Sequence, residues 1–455
     1  ETKPVPQDYL AGIPFAGRST LTGLFVKVAE HGPKDPAVWK RLIARVDVIA
    51  HSLTAKQASL ILSSMARTRQ VQETFLHRFN LKFAPSLIAQ AEMIDLCGMI
   101  SSLSQLDSYQ EELFLVASKR LQEVASQLDA RQLALMFNAF VKAKHLDMEL
   151  FQRLLKQVPR KIVKFTAKDA AILLNALAQV PAFQDWEAAE EAEELKKALE
   201  VISLRLPELL PSADLHSLAL IMNAFAQLQY VQKDLLDLLS QELLLNQEKL
   251  TKFSPIQLAM VLNAIARLQL HEPKLVELLA SAVRSGAHAL DPQAFCLVAN
   301  ASAKLQLGLD TFQVLYARLP KVLSRLSGRQ LAMVCHAWAK AHIHNDDLFE
   351  LLALPLASHA AKLEAHEVAI SIFAYAHFRK SPKELFDVLL ERFRSLLAEQ
   401  VVSEEDLFMV VNALGRVGWM DGTLREALHG KDFRYLSVHA QATFGLQEEI
   451  HQIAE

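Results

Sequence analysis

The sequence has few of the residues that make tight turns. Its 455 residues include 13 glycines and 16 prolines. Tight β-turns and phosphate-binding loops depend on these two residue types, so a β-sandwich, a β-barrel or a Gly-rich nucleotide-binding fold is disfavoured. No apolar run approaches the roughly 18 residues that a membrane-spanning helix requires, and no membrane insertion is expected.

Cysteine and the common catalytic motifs are also scarce. The three cysteines, Cys97, Cys296 and Cys335, lie far apart in apolar runs and belong to no CxxC motif, which indicates buried thiols in a reducing compartment. The sequence contains no GxxxxGK[ST], GxSxG or HExxH motif. We therefore expect a non-enzymatic protein without a cofactor.

One group of residues has the side-chain types of a metal site. His336, His342 and His344 stand close in sequence to Asp346 and Asp347, and zinc is bound by such ligands. However, His336 occupies a position of the repeat described below, and the others straddle a predicted turn between helices. No metal site is expected here.

The net charge of −3 argues against a protein covered in positive charge, but it hides one acidic segment. Residues 184–200 contain seven acidic residues and two lysines. This segment is expected to be a solvated helical extension, with docking of a basic partner as the alternative. Hydrophobic residues make up 51% of the chain and charged residues 22%, enough for a large folded core.

A short phrase recurs along the chain, as in LLNALAQV, IMNAFAQL and VLNAIARL. We call its Asn position the slot. Successive slots are 36 to 40 residues apart, except for one step of 48 that contains the acidic segment. A weaker first copy is centred on Gly23, and the other slots are Ser63, Ser101, Asn138, Asn175, Asn223, Asn263, Asn300, His336, Phe373 and Asn412. This period is typical of a helical-repeat array.

The residues around each slot predict where helices begin. Nine positions before the slots stand Thr54, Glu92, Asp129, Thr166, Asp214, Ser254, Asp291, Ser327, Glu364 and Ser403. Eight of these ten are Ser, Thr or Asp, which accept hydrogen bonds from the free amides of a helix start. Second starts are predicted at Asp147, Glu272-Pro273, Asp310, Asn345 and Ser381-Pro382. Each repeat is therefore predicted to be a helical hairpin.

The first helix of each hairpin is apolar on several sides and must be covered by its neighbours. Except after the weaker copy at Gly23, the residue after each slot is Ser or Ala, which allows helices to approach closely. These features predict an all-α protein: an α-solenoid of about ten or eleven hairpins of about 38 residues. We expect an N-terminal extension at 1–19, the array at 20–430 with the acidic insertion at 184–200, and a C-terminal cap or tail at 431–455.

A second column lies four residues after the slot, one helical turn further along the same face. We call it the row, and it consists of Lys27, Arg67, Gln105, Lys142, Gln179, Gln227, Arg267, Lys304, Lys340, His377 and Arg416. None of these residues is acidic. Stacked repeats would align them into a line of cations and amides able to bind a phosphate backbone. The alternative is local, because cations are also favoured in the last turn of a helix by its dipole.

The slot asparagines themselves have two possible roles. They are Asn138, Asn175, Asn223, Asn263, Asn300 and Asn412. A lone amide in an apolar helix commonly bonds to the adjacent repeat and fixes its register. Reading the edges of RNA bases is the alternative, and the sequence leaves both open.

The phrases resemble the heptatricopeptide and octotricopeptide repeats of organellar RNA-binding proteins, over roughly residues 20 to 430. The resemblance implies binding of ribosomal RNA or organellar transcripts, in mitochondria or, as an alternative, plastids, often within a large ribonucleoprotein. Two features depart from it: no Pro-Pro-Pro-Glu-Trp stretch is present, and residues 431–455 are too few for the nuclease-like domain of many relatives.

The functional expectation is an RNA-binding helical-repeat protein, most plausibly a component of a mitochondrial ribosome or another organellar ribonucleoprotein. Its expected partners are rRNA or a transcript and other proteins of a large complex. The alternative is a protein-binding scaffold without direct RNA contact. The sequence begins at Glu1 without Met, which suits removal of a transit peptide, and a sequence that begins downstream of its true start would look the same.

Overall fold

The structure, a computed structural model, describes residues 12–31, 35–183, 193–245, 250, 252–270, 272–429, 431 and 435–446. Within these ranges the protein is all helical, with no strand. None of its helices there is both long and apolar enough to span a membrane. The predicted all-α solenoid is confirmed. The chain forms two compact units, Glu1–Leu235 and Leu236–Glu455.

In the first unit, first helices alternate with second helices along the chain. The first helices are α1 (Arg18–His31), α3 (Ala55–Thr68), α6 (Met93–Gln105), α8 (Ala130–Lys142), α11 (Ala167–Ala178) and α13 (Leu215–Gln227). The second helices are α2 (Pro36–Ile49), the pair α4 (Glu73–Lys82) and α5 (Ala84–Gln90), α7 (Glu111–Val124), the pair α9 (Met148–Leu155) and α10 (Val158–Lys161), and α12 (Glu193–Leu209). Helix α14 (Lys233–Leu245) contains the boundary between the units.

The second unit follows the same alternation. Its first helices are α15 (Pro255–Arg267), α17 (Pro292–Lys304), α19 (Gly328–Lys340), α21 (Ala365–His377), α23 (Glu404–Val417) and α25 (Val438–Phe444). Its second helices are α16 (Pro273–Gly286), α18 (Leu309–Val322), α20 (Asp346–His359), α22 (Lys383–Ala398) and α24 (Gly422–Ala427).

Within each unit, every first helix packs against the next first helix along the chain. The small residues after the slots explain the close approach, since Ser64, Ser102, Ala139, Ala176, Ala224, Ala264, Ala301, Ala337, Ala374 and Ala413 are all buried. Aromatic side chains then join first to second helices. Phe137 stacks on Phe151 at 4.6 Å between ring centroids, and Phe312 meets Trp338 edge-on at 5.0 Å.

The predicted helix starts are confirmed at all ten first helices that follow a cap position. The caps with Ser, Thr or Asp accept a backbone N–H through the side chain, as Thr54 does from Gln57 and Ser327 from Gln330. In both cases the Gln side chain accepts the N–H of the cap in return, completing a capping box. These hydrogen bonds are local, which explains why the sequence alone located them.

Three details differ from the sequence expectation. Helix α18 begins after Gly308, so Asp310 lies in its first turn and is not the cap. Two second helices of the first unit are divided into shorter pieces, α4 with α5 and α9 with α10. The expected tail also contains a further first helix, because α25 packs against α23. A Cβ at Gly415 would lie 2.5 Å from the Cα of Ala440, so only glycine permits this contact.

Candidate nucleic-acid interface

The row residues lie in or directly after the last turn of the first helices, where the carbonyl ends carry the negative pole of the helix dipole. Within each unit the packing of consecutive first helices brings successive row positions into neighbouring turns. Their side chains are exposed, except that Gln227, Lys304 and His377 are half-buried. The row is thus a surface feature in both units.

In the second unit, the row cations are close enough to repel one another. The pKa of Lys304 is lowered by burial and by the charges of Lys340 and Arg267. The pKa of His377 is lowered by burial and by His342 and Arg416. Neighbouring repeats therefore place their cations within electrostatic range, as the sequence reasoning required.

Acidic side chains do not neutralise this part of the row. Within the described residues, Arg267, Lys304, Lys340 and Arg416 form no ion pair with Asp or Glu. Other cations of the second unit are engaged: Arg318 donates to the carbonyl of Leu290, and Arg392 to that of Leu363. Arg267, Lys304 and Lys340 make no such hydrogen bond in the described part of the chain, whereas Arg416 donates to Nδ1 of His377 at 3.3 Å.

The first unit has a different row. Three of its six residues are glutamines, and Arg67 lies 3.8 Å from the carboxylate of Glu30. The amide of Gln105 donates to the hydroxyl of Ser101, and that of Gln179 donates to the carbonyl of Asn175. This unit therefore presents fewer unpaired cations along the same helical position.

Among the six slot asparagines, one forms side-chain hydrogen bonds to described residues and five do not. Asn412 donates to the carbonyl of Tyr435 at 3.0 Å and accepts the N–H of Ser437 at 2.6 Å, so it fastens the segment before α25. The side chains of the other five, Asn138, Asn175, Asn223, Asn263 and Asn300, make no hydrogen bond to any described residue. Bonding to the adjacent repeat therefore holds for Asn412. Of the other five, Asn223 is buried, and the remaining four are half-buried with amide groups available one turn from the row.

Two slots of the second unit hold aromatic rings instead of asparagine. His336 and Phe373 lie 5.9 Å apart between ring centroids, which shows that slots of neighbouring repeats touch. Burial and the charges of Lys340, His366 and Lys304 lower the pKa of His336 to about 4. This imidazole is therefore neutral near pH 7.

The histidines considered above as metal ligands have separate partners. His342 bonds to His377 through its Nδ1 at 3.0 Å, and His344 pairs with Asp346 at 3.3 Å. No group of three or more His, Cys, Asp or Glu side chains placed to hold a metal ion occurs among the described residues. The three cysteines are buried, and burial raises the pKa of each thiol to about 12.

The row of the second unit ends beside an open cavity of about 390 Å³. Its walls include Phe373, Asn412, Arg416 and Tyr435. The Arg416 guanidinium lies 5.6 Å from the centroid of the Phe373 ring, a cation–π contact. The Tyr435 ring is 68% exposed. Sequence reasoning missed this feature because Tyr435 lies in the tail, outside the repeat columns.

Only part of the acidic segment lies among the described residues. Residues 184–192, with most of its acidic side chains, lie outside the described residues. The rest opens α12, where Glu193 pairs with Lys197 at 3.3 Å along one helix face. Both expectations for this segment therefore stay predictions.

Residues 201–444, more than half of the chain, match the model of the family described as RNA-editing substrate-binding complex 6 protein. No curated protein sequence matches. A structure titled "Homology model of the full-length AP-3 complex in an intermediate open conformation" matches with 11% identity and a TM-score of 0.32, covering 97% of this chain and 82% of that chain.

The family match refines the resemblance drawn from the repeat phrases. It points to an RNA-associated helical protein, as they did, but it does not name a heptatricopeptide or octotricopeptide family. The matched residues begin within α12 and run to the end of α25, so they include every row residue of the second unit. The chain belongs to the RNA-editing substrate-binding complex 6 protein family.

Proposed function

We propose that this protein is a non-enzymatic subunit of an RNA-editing complex, and that it holds single-stranded RNA along the row of its second unit. The RNA is a substrate of editing, as the family description suggests. Phosphates bind Arg267, Lys304, Lys340 and Arg416, and bases lie toward the slot asparagines. Other subunits of the complex are its protein partners.

One observation supports the proposal: neighbouring row cations of the second unit repel one another and form no ion pair with a described Asp or Glu. Burial is the main cause of the lowered pKa of Lys304, and the charges of Lys340 and Arg267 lower it further. A helix dipole favours one cation at a helix end by about 0.3–1 kcal/mol, but it gives no reason to align such ends. A polyanion laid along the row would relieve the repulsion and release bound counterions.

A mitochondrial location is part of the proposal. It is supported by the family match, with which it is compatible, and by the resemblance to organellar repeats. The comparisons support neither the plastid alternative nor membership of a ribosome. A complex that edits RNA therefore replaces the ribosome as the proposed assembly.

The test is a triple charge reversal, R267E/K304E/K340E, with a labelled single-stranded RNA as the probe. The wild-type protein should bind RNA with an affinity that falls steeply as salt is added, because phosphate contacts release counterions. The variant should bind about 100-fold more weakly, with a salt slope smaller by about 2, the share expected of three phosphate contacts.

The matched control is K274E/K321E/K383E, which makes the same change in net charge on exposed lysines of the second helices α16, α18 and α22. It should bind RNA within about threefold of wild type. Circular dichroism checks that both variants keep their helices. Equal losses in both variants would show that only total charge matters, and the row would lose its assignment.

The protein-scaffold alternative predicts another outcome. In that case the wild-type chain would show no salt-dependent RNA binding, yet would assemble with subunits of the complex in the absence of RNA. Such a result would reject direct RNA contact.

A further inference from the structure

The first helices end in a backbone conformation that side chains usually avoid. Six residues after the slot, φ is positive in nine repeats within the described chain. One of these positions is glycine, Gly418, with φ 69°. The other eight have φ between 51° and 56°, and they are Arg69, Asp107, Lys144, Gln229, Gln269, Gln306, His342 and Arg379.

The backbone itself gives no reason for these side chains. At Gly418 the helix closes with the same pattern of bonds, since the N–H of Trp419 reaches the carbonyl of Leu414 as that of Leu307 reaches Ser302. Glycine adopts this conformation without the steric cost that other residues bear. Eight repeats nevertheless carry a larger side chain, and all eight are exposed.

The helix dipole explains only part of this choice. It favours cations at a helix end, which covers the Arg and Lys members of the column. It gives no advantage to a neutral amide, yet Gln229, Gln269 and Gln306 occupy three consecutive positions of the column. None of these three amides makes a side-chain hydrogen bond to a described residue.

One contact shows where this column lies relative to the row. The imidazole of His342, in the left-handed position of one repeat, bonds at 3.0 Å to His377, the row residue of the next repeat. We infer from the equivalence of the repeats that the same step sets Gln269 beside Lys304 and Gln306 beside Lys340. The second unit therefore has a second row beside the row of cations, made of Gln269, Gln306, His342, Arg379 and Gly418.

We propose that Gln269 and Gln306 contact the ribose and base side of the RNA whose phosphates lie on Arg267, Lys304 and Lys340. This inference rests on the proposed function and adds a second line of contacts to it. An amide offers both donors and an acceptor, which suit the edges of unpaired bases and the ribose 2′-hydroxyl. The strained backbone is retained because glycine would remove these groups.

The double variant Q269G/Q306G tests the inference through two measurements, the unfolding temperature and the affinity for RNA. It should unfold at the same temperature as wild type or a higher one, since glycine suits the left-handed conformation. It should bind the labelled single-stranded RNA about tenfold more weakly. Its salt slope should equal that of wild type, because no charge has been removed.

The control is Q400G, which makes the same substitution at the same kind of position, φ 58°, after the second helix α22. It should leave RNA affinity unchanged. If Q269G/Q306G binds RNA as tightly as wild type, the second row has no role in binding and the inference is overturned. That result differs from failure of the proposed function, in which the wild-type protein itself would show no salt-dependent binding.

Discussion

The two units share one repeat pattern but fill the row position differently. In the first unit three of the six row residues are glutamines, and Arg67 faces Glu30. In the second unit Arg267, Lys304 and Lys340 follow one another without an acidic partner among the described residues, and His377 and Arg416 continue the row. The family match includes this second set of residues. The same helix end thus serves as ordinary surface in one unit and as concentrated positive charge in the other.

Position in the repeat alone therefore does not identify a binding site. All eleven row residues satisfy the sequence pattern, but the electrostatic coupling that supports the proposed binding occurs among those of the second unit. Long-range attraction to a polyanion depends on how many unpaired charges lie within a Debye length, about 8 Å at physiological salt. The row of the first unit, with three glutamines and one ion pair, therefore attracts a polyanion less strongly.

The largest difference between the units is expected when the same number of row cations is neutralised in each. R267Q/K304Q/K340Q should weaken RNA binding about 30-fold and lower the salt slope by about 2. K27Q/R67Q/K142Q should weaken it by less than about threefold, because Arg67 is already paired and fewer charges act together. Titrations of labelled RNA at several salt concentrations measure both. Similar losses in the two variants would mean that RNA follows both units.

The residue in the slot also affects how the stability of the protein depends on pH. His336 has a folded pKa of about 4, below the value near 6.5 expected in the unfolded chain. The unfolded state then binds more protons between these values, so stability is lost as the pH falls from about 6.5 to 4. Phe373 packs against this imidazole, and Lys304, Lys340 and His366 supply the surrounding charge.

The variant H336N, which restores the common slot residue, should remove most of this pH dependence. Thermal midpoints of wild type and variant should run parallel above pH 7 and diverge below about pH 6.5. The loss in wild type is expected to be about 1–2 kcal/mol larger than in the variant by pH 5, after allowance for partial exposure. Curves that stay parallel down to pH 5 would show that His336 is not the responsible group.

Local chemistry decided which features the sequence could predict. The caps at Thr54, Asp129 and Ser327 were located because a cap and its helix are separated by a few residues and joined by their own hydrogen bonds. The left-handed column was missed because glycine usually marks that conformation, and here it occurs at Gly418 alone among the nine. The cavity beside Arg416 was missed because Asn412 positions Tyr435 through a contact 23 residues away in sequence.

The smallest expected effects are those of replacing single slot asparagines in the two units. N412A removes two hydrogen bonds that hold the segment before α25, so it should lower the free energy of unfolding by about 1–2 kcal/mol. N138A and N263A remove amides that make no bond to a described residue, and alanine favours the helix by a few tenths of a kcal/mol. Neither should destabilise the protein.

RNA binding should separate these last two variants. If bases lie toward the slots of the second unit, N263A weakens RNA binding about threefold to tenfold, since an amide that pairs with a base edge contributes roughly 1 kcal/mol. N138A, in the first unit, should bind like wild type. Chemical denaturation and RNA titration of the three alanine variants supply both measurements. Should N138A and N263A weaken binding equally, the slot amides would read RNA in both units, and the difference between the units would be confined to their charge.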